Sequence, residues 1–224
     1  MYTWLLAASA LPGITIPYSV RRFAPREGLR ARPFAGKWKA CGFIVKSDMD
    51  PRETVSRTFY LEEVAAAASE SSLAQARELL LEYGRFVIAQ PCAARFCFGS
   101  LEREAARLPF SYIEQGGGCL MAHVQGEPAG FVAWRTVPAS VEQDAWELKR
   151  LWVRPSARGL ALGRALTLAV LDLAIAAQQK AVYLDTAPAS MAAAHRLYLE
   201  LGFEPCAPYN DNPVEGLAWL KKSL

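Results

Sequence analysis

Residues that form cross-links or bind metals are scarce in this sequence. Its 224 residues include five cysteines and two histidines, and the cysteines show no paired, zinc-like spacing. An odd, scattered set of cysteines differs from the disulfide framework of a small secreted domain. We therefore expect no disulfide scaffold and no metal site, and we expect a reducing, cytoplasmic location.

Long apolar runs and a strong excess of one charge are also missing. No run approaches the roughly 20 apolar residues of a membrane span, so no membrane partner is expected. Residues 1–10 are apolar and end in Ala-Ser-Ala, but they lack the positive n-region of a signal peptide. The formal net charge of +3 indicates no general attraction to nucleic acid.

Basic residues are concentrated near the start of the chain. Residues 1–50 contain eight Lys/Arg and three acids, whereas the remainder contains 17 Lys/Arg and 19 acids. Within 11–40, Pro, Gly and Arg occur without periodicity, which predicts poor order. Two hypotheses stay open for residues 1–48: a disordered basic head, or a mis-annotated start with translation beginning at Met49. Nucleic-acid binding by residues 21–39 is a third, weaker alternative because no motif supports it.

Residues 57–224 show the patterns of one folded domain, and the hydrophobic fraction of 52% is ample for a core. The periodicity predicts the element order β-α-α-β-β-β-α-β-α-β-β, an α/β or α+β fold with a mixed sheet. The predicted strands are 58–62, 119–125, 130–137, 146–153, 181–185 and two near 204–206 and 217–221. The predicted helices are 72–90, with Ser71 or Ser72 as cap, 99–108, one running to 178, and 191–201.

A short loop between a buried strand and a long helix is the strongest functional signal. Arg154-Pro155 ends the strand, and small residues follow at Gly159, Ala161 and Gly163. Free amides at a helix N-terminus bind anions, and small residues let a phosphate approach the backbone. The Gly-Lys-Ser/Thr ending of an NTPase loop and the third glycine of a Rossmann loop are absent. An ordinary strand-loop-helix connection is the remaining alternative.

Two blocks of sequence resemble the GNAT superfamily of acyl-CoA-dependent N-acetyltransferases. The family's loop pattern Arg/Gln-x-x-Gly-x-Gly/Ala is matched by Arg158-Gly-Leu-Ala161-Leu-Gly163. The family's Asn-x-x-Ala-x-x-Leu-Tyr-x-x-x-Gly-Phe is matched by residues 191–203, with Tyr198 at the tyrosine. Ala161 replaces a glycine, and its amide remains usable if its φ is negative. Met191 replaces an asparagine, so one hydrogen bond to the cofactor is in doubt.

The resemblance covers about residues 59–224 and implies a fold, a cofactor and an activity. The fold would be a mostly antiparallel mixed sheet flanked by helices, and acetyl-CoA would be the co-substrate. The partner would be a small-molecule or peptide amine, and a homodimer stays an open alternative. The residues expected at the cofactor are Leu151, Trp152, Val153, Arg158, Gly159, Leu160, Ala161, Leu162, Gly163, Arg164 and Met191.

Acyl transfer also requires donors for an oxyanion. Leu148, Leu151 and Val153 are spaced by three and then two, so a bulge near residues 149–150 would place all three on one face. In GNAT enzymes a bulge here directs an amide towards the thioester carbonyl. Trp146, Leu148, Arg150 and Trp152 also alternate, however, and a regular strand is the alternative.

A proton donor and a base complete the expected site. Tyr198 matches the family tyrosine that protonates the leaving thiolate, and a core aromatic is the alternative. Glu147, beside the reactive strand, is the candidate base, and a solvated residue paired with Lys149 is the alternative. Glu114, Glu142, Asp185 and a water chain are weaker candidates.

The predicted function is therefore an N-acetyltransferase that moves an acetyl group from acetyl-CoA to a primary amine in a ternary complex. A non-catalytic acyl-CoA-binding module is the alternative. The acceptor cannot be read from the sequence, although residues 208–216 resemble a loop of many uncharacterised bacterial family members.

Overall fold

The computed structural model describes residues 37–38, 59–90 and 98–224. An eight-stranded sheet has the order β1-β2-β3-β4-β5-β6-β8-β7, and every neighbouring pair is antiparallel except β5 with β6. The strands are β1 Lys37–Trp38, β2 Phe59–Glu63, β3 Gly118–Val124, β4 Glu127–Thr136, β5 Ala145–Val153, β6 Ala181–Thr186, β7 Glu204–Pro205 and β8 Ala218–Ser223. The helices are α1 Glu70–Ile88, α2 Phe98–Ala106, α3 Phe110–Ile113, α4 Leu162–Ala176 and α5 Ala192–Glu200.

This architecture confirms the predicted mixed, mostly antiparallel sheet flanked by helices. The element order contains two additions, the edge strand β1 and the one-turn helix α3. Two-residue and four-residue elements are too short to show a period, which is why the sequence pattern missed them. Apart from β1, the predicted head 1–48 lies outside the described residues, as does Thr58.

The N-terminus of α1 differs from the prediction by a few residues. The helix begins at Glu70, and the Ser69 side chain accepts a hydrogen bond from the Ser72 amide at 3.1 Å. Ser69 is therefore the cap, and the assignment to Ser71 or Ser72 is wrong. A helix cap bonds the amide two or three residues later, and three serines within four residues made the choice ambiguous.

Two apolar layers cover opposite faces of the sheet. One layer packs α4 and α5 on the sheet through residues such as Leu148, Leu166 and Phe203. The other packs α1 and α2 through residues such as Leu80 and Trp152. Strand β5 contributes to both layers, so it lies at the centre of the molecule.

No described helix combines the length and apolar character that crossing a bilayer would need. The longest, α1, carries two exposed or half-exposed ion pairs, Arg77–Glu70 and Arg85–Glu78. Its apolar residues form a stripe facing the sheet, as in a surface helix of a globular domain.

Candidate active site

The central strands separate and open a cleft. Strands β5 and β6 pair in parallel only from Ala145 with Ala181 to Glu147 with Tyr183, although both continue beyond that point. Beyond these pairs the main chains of the two strands no longer bond to each other, and a gap separates them. The gap is lined by Tyr83, Leu148, Lys149, Arg150, Leu151, Asp185, Thr186, Met191, Ala194 and Tyr198.

A β-bulge lies on one wall of this cleft, as the spacing of apolar residues predicted. The β4–β5 register shifts between Ala133 opposite Lys149 and Phe131 opposite Trp152. Arg150 has a φ of 59°, which is rare for a residue with a side chain. Leu148 and Leu151 consequently pack in one apolar layer and Trp152 in the other. The alternative of a regular strand with strict alternation is therefore wrong. A bulge frees main-chain groups from the ladder, and this one faces the cleft.

A half-buried ion pair links the strained bulge to α2. The Arg150 guanidinium donates two hydrogen bonds to the Glu104 carboxylate, Nε to Oε1 at 3.1 Å and Nη2 to Oε2 at 3.0 Å. Tyr112 donates to the same carboxylate, and the guanidinium lies 5.7 Å from the Tyr83 ring centre. Burial raises the pKa of Glu104, but Arg150 outweighs this and lowers it. The sequence analysis missed this pair, because 46 residues separate its members.

The loop before α4 presents free amides at a helix N-terminus. The first helical hydrogen bond runs from the Ala165 amide to the Ala161 carbonyl, 3.0 Å, so the amides of residues 162–164 have no carbonyl partner within the helix. Gly159 has a φ of 81°, and a side chain there would meet nothing within 4 Å. The space around the loop is thus open to an anion.

Ala161 departs from its expected conformation. Its φ is 56° and its ψ 17°, in the left-handed region, so the negative φ required for its amide to be usable is not found. The chain leaves a 3₁₀ turn at Pro155–Ala157 and must reverse before α4 begins. A glycine would adopt this conformation without strain, which gives a physical reason for the glycine in the family pattern.

The strand and loop residues that were expected at the cofactor differ in which of their groups could reach it. Trp152 is buried, and its Nε1 donates to Glu82 at 3.0 Å on the α1 face, away from the cleft. Arg158 lies over the Trp152 ring at 5.4 Å. Leu162 is buried in the core, so it presents only its main chain.

Further contacts tie α4 to α5. Arg164 pairs with Glu200. A Cβ on Gly163 would lie at an ordinary contact distance of 3.5 Å from the Leu197 side chain, so α4 and α5 approach each other at this point with room for a methyl group. Leu160 is half-buried against the core, and Met191 lines the cleft at the start of α5.

Tyr198 lies on α5 and lines the same cleft as the bulge. The residue is 4% exposed, and its ring meets Phe203 edge-on with the centres 5.7 Å apart. Burial raises the pKa of its hydroxyl, and the charges of Tyr83 and Asp185 add to the shift. The hydroxyl therefore stays protonated near neutral pH and is available as a proton donor.

Glu147 is buried and fully engaged. Its carboxylate accepts from Arg135 Nε at 2.7 Å, Lys149 Nζ at 3.0 Å, Tyr209 Oη at 3.0 Å and Asn210 Nδ2 at 3.2 Å. Burial raises the pKa of Glu147, but Lys149 and Arg135 outweigh it, so the pKa is lowered. The pair with Lys149 is present, but the solvated setting expected for it is wrong, because Glu147 is 2% exposed.

The weaker base candidates are found in different places. Glu114 pairs with Arg107 and Glu142 with Lys221, and neither lines the cleft. Asp185 does line it, and its Oδ2 accepts from Asn210 Nδ2 at 2.7 Å. Asn210 belongs to the 208–216 segment, whose resemblance to other family loops was the only sequence signal for it.

The described residues include no group of three or more His, Cys, Asp or Glu that could hold a metal ion. Of the five cysteines, the structure describes Cys119, which is buried, and Cys206, which is half-buried, and both are free thiols. Burial raises the pKa of both thiols, so neither is activated as a nucleophile.

Comparison with known proteins assigns the chain to one family. The family model described as "Acetyltransferase (GNAT) family" matches residues 75–203, a span that includes the bulge, the loop and Tyr198. The chain belongs to this family.

Curated relatives and solved structures agree with this membership. An uncharacterised N-acetyltransferase of Schizosaccharomyces pombe is 30% identical over 107 residues, 48% of this chain and 56% of that protein. The N-acetylaspartate synthetase of Xenopus tropicalis is 30% identical over 138 residues, 60% of this chain and 47% of that protein. The chain thus spans about half the length of the curated relatives it matches.

Two solved structures illustrate the shared fold. A GNAT-family acetyltransferase from Staphylococcus aureus Mu50 superposes with a TM-score of 0.59 at 15% identity, covering 74% of this chain and 99% of that one. An acetyltransferase from Salmonella typhimurium, solved with its cofactor acetyl-CoA, has a TM-score of 0.52 at 18% identity, covering 74% and 93%. At these identities the likeness concerns the fold.

Proposed function

We propose that this protein is an N-acetyltransferase that moves an acetyl group from acetyl-CoA to a primary amine by direct attack in a ternary complex. The observation that carries the proposal is the shared cleft. The strained bulge at Arg150, the start of α5 and Tyr198 all line it, and the free amides of α4 lie beside it. Family membership supports the same activity.

The residues around the loop fit a pyrophosphate. The amides of 162–164 supply donors and a positive helix end, and the space beside Gly159 is open. Arg158 adds a cation, and Leu151 and Val153 offer apolar contact to the chain that follows the phosphates. Acetyl-CoA, when bound, supplies an activated acetyl group as a thioester.

The bulge and Tyr198 would act on the charges that develop during transfer. A main-chain amide freed at residues 150–151 would stabilise the oxyanion, a task that needs donors fixed in advance. Tyr198 would protonate the leaving thiolate. A thiol has a pKa of about 8.5 and a tyrosine about 10, and burial raises that of Tyr198 further. The transfer is uphill for a free thiolate, so it would be concerted with cleavage of the C–S bond.

Glu147 remains a predicted base, but its surroundings favour a positioning role. A carboxylate with a lowered pKa and two cationic partners is a weaker base than a free one. Its four partners come from β4, β5 and the 208–216 segment, so it fixes the walls of the cleft.

The names of related proteins suggest which acceptors to test. N-acetylaspartate synthetases of Xenopus tropicalis and Danio rerio appear among the relatives, and a ribosomal-protein-alanine N-acetyltransferase from Brucella melitensis appears among the solved structures at 22% identity. The panel should therefore include aspartate and other amino acids, short peptides with a free N-terminus, and simple alkylamines and polyamines.

A two-stage experiment tests the function. First, acetyl-CoA should raise the melting temperature of the purified protein by mass action. Second, thiol release from acetyl-CoA should be followed with each amine of the panel. Turnover with at least one amine is the expected result. Absence of any shift at millimolar acetyl-CoA would contradict the proposal, and a shift without turnover would leave the non-catalytic binding module as the better description.

A further inference from the structure

The carboxylates around the cleft differ in whether a cation neutralises them. Glu104 is paired with Arg150 at 3.0 Å, and Glu147 with Arg135 and Lys149 at 2.7 and 3.0 Å. Asp185 also lines the cleft, but among the described residues no lysine, arginine or histidine forms an ion pair with it. A carboxylate in a cleft without a cationic partner from the protein can pair with a cation that a ligand supplies.

Asp185 stands where the two central strands have separated. It follows Tyr183, the last residue of β6 that pairs with β5, by two positions. Its charge contributes to the raised pKa of both Tyr198 and Tyr83, so it is electrostatically coupled to the proposed proton donor. The carboxylate is therefore near the reacting centre and still within the cleft.

Asn210 fixes the orientation of this carboxylate. Its Nδ2 donates to Asp185 Oδ2 at 2.7 Å and to Glu147 Oε1 at 3.2 Å. Its Oδ1 accepts from Trp219 Nε1 at 3.1 Å and from the Asn212 amide at 3.3 Å. Because Trp219 and the Asn212 amide donate to the amide oxygen, the amide cannot flip without losing all four bonds. A carboxylate has about four acceptor sites, so Asp185 keeps capacity for a further donor.

We propose that Asp185 binds the ammonium group of the acceptor and receives its first proton, with Asn210 as the residue that positions it. This inference rests on the proposed function and adds a substrate class, amines that are cationic at neutral pH. Glu147 is less suited to the task, because two cations already neutralise it.

The proton balance of the step is simple. The acceptor ammonium first loses one proton to Asp185, which passes it to water, because only the neutral amine has a lone pair for attack. An aspartate is ordinarily a much weaker base than an alkylamine, so this transfer is unfavourable and release of the proton to water completes it. The nitrogen loses its second proton as its lone pair forms the bond to the acetyl carbon and the C–S bond breaks, and this proton replaces the one that Tyr198 gives to sulfur. The products are the amide, free CoA thiol and one released proton.

The test compares two identical substitutions at different sites. Asp185→Asn should lower kcat/KM for a cationic amine of the panel by roughly 10²–10⁴-fold, the range of general acid–base effects, with an unchanged KM for acetyl-CoA. Asp144→Asn is the control, because Asp144 is exposed and pairs with Lys180 at 3.0 Å outside the cleft, and it should behave as wild type. Asn210→Ala should raise KM for the amine and leave KM for acetyl-CoA unchanged, a split that a merely structural residue would not produce.

Substrate choice gives a second readout. The wild type should prefer alkylamines, which are cationic at the assay pH, over arylamines of similar size, which are neutral there, and Asp185→Asn should lose this preference. Asp185→Glu keeps the charge and displaces it by one methylene, so it should keep the preference while kcat falls by about 10²-fold.

The outcomes separate this inference from the proposed function. If the wild type binds acetyl-CoA but acetylates no amine, the function itself fails, and this inference with it. If the wild type acetylates amines and Asp185→Asn matches it, only the inference is overturned. Should Asp185→Asn fail to fold, wild-type kinetics in Asp185→Glu would overturn it, and the expected loss of kcat would support it.

Discussion

The two sides of the cleft are built from different chemical groups. One, the loop side, consists of α5, whose Tyr198 lines the cleft, and the adjacent residues 158–164, and it presents main-chain amides, small residues and one buried hydroxyl. The other, the carboxylate side, consists of Asp185, which lines the cleft, and of Glu104, Glu147 and Asn210 behind it, and it presents three carboxylates and one amide from four separate segments. The two sides therefore have different proposed tasks. In the proposed function the amides would bind the phosphates of the co-substrate, whereas the carboxylate side would discriminate between acceptors by charge.

The largest expected effect concerns the hydroxyl on the loop side. Tyr198→Phe keeps the ring and its edge-on contact with Phe203, and removes only the proposed proton donor. We expect kcat to fall by roughly 10²–10⁴-fold with little change in acetyl-CoA affinity, because the hydroxyl acts on charge that develops after binding. Steady-state kinetics with an amine that the wild type acetylates would measure it. Equal rates for the wild type and Tyr198→Phe would show that solvent, and not Tyr198, protonates the thiolate.

The next effect concerns phosphate binding by the loop side. Gly163→Glu places a carboxylate against the first turn of α4, and we expect acetyl-CoA binding to weaken by about 100-fold or more, since like charges brought together cost several kcal/mol. Calorimetric titration would measure the affinity. Gly163→Ala is the control. Its Cβ would meet Leu197 at an ordinary 3.5 Å, so binding should persist, and loss of binding in the alanine variant would show that bulk alone is responsible.

The third effect tests the ion pair that holds the bulge on the opposite side. Glu104→Ala leaves Arg150 without its carboxylate, and we expect a loss of up to about 3 kcal/mol in the free energy of unfolding, the low end for a fully buried pair broken on one side, because this pair is half-buried. Urea unfolding would measure it. Arg150→Met with Glu104→Ala completes a double-mutant cycle. Additive losses would contradict coupling between bulge and helix α2.

The sequence alone predicted the loop side better than the carboxylate side. Residues 158–163 and 191–203 are contiguous motifs, so the loop, Tyr198 and the sheet between them were predictable. The bulge was also predictable, because a shift in a period-2 pattern is local. Glu104–Arg150 and Asn210–Asp185 join residues far apart in the sequence, and only the folded chain brings them together. The positive φ of Ala161 depends on how the chain enters α4, which composition does not encode.

A smaller effect of pH should come from Glu147 on the carboxylate side. Its pKa is lowered in the folded state from an ordinary value of about 4.3, so its ion pairs stabilise the fold above that value. This stabilisation is lost as pH falls through the lower, folded pKa. We expect unfolding free energy to decline below about pH 4.5, and the decline should be shallower in Glu147→Gln. Urea unfolding between pH 3 and 7 would measure both slopes, and parallel slopes would contradict the shift.

The smallest expected effect concerns the strained alanine of the loop side. Ala161 has a φ of 56°, and the left-handed region costs an L-residue about 1–2 kcal/mol, whereas glycine loses about 0.5–1 kcal/mol of stability through its greater freedom when unfolded. Ala161→Gly should therefore stabilise the protein by about 0.5–1 kcal/mol, without changing acetyl-CoA affinity, because the free amides of α4 are already in place. Ala177→Gly is the matched control. Ala177 lies at the other end of α4 with a φ of −86°, so the same substitution relieves no strain there and should destabilise the protein. Thermal unfolding of the two variants should shift in opposite directions, and a shift in the same direction would show that Ala161 is not strained.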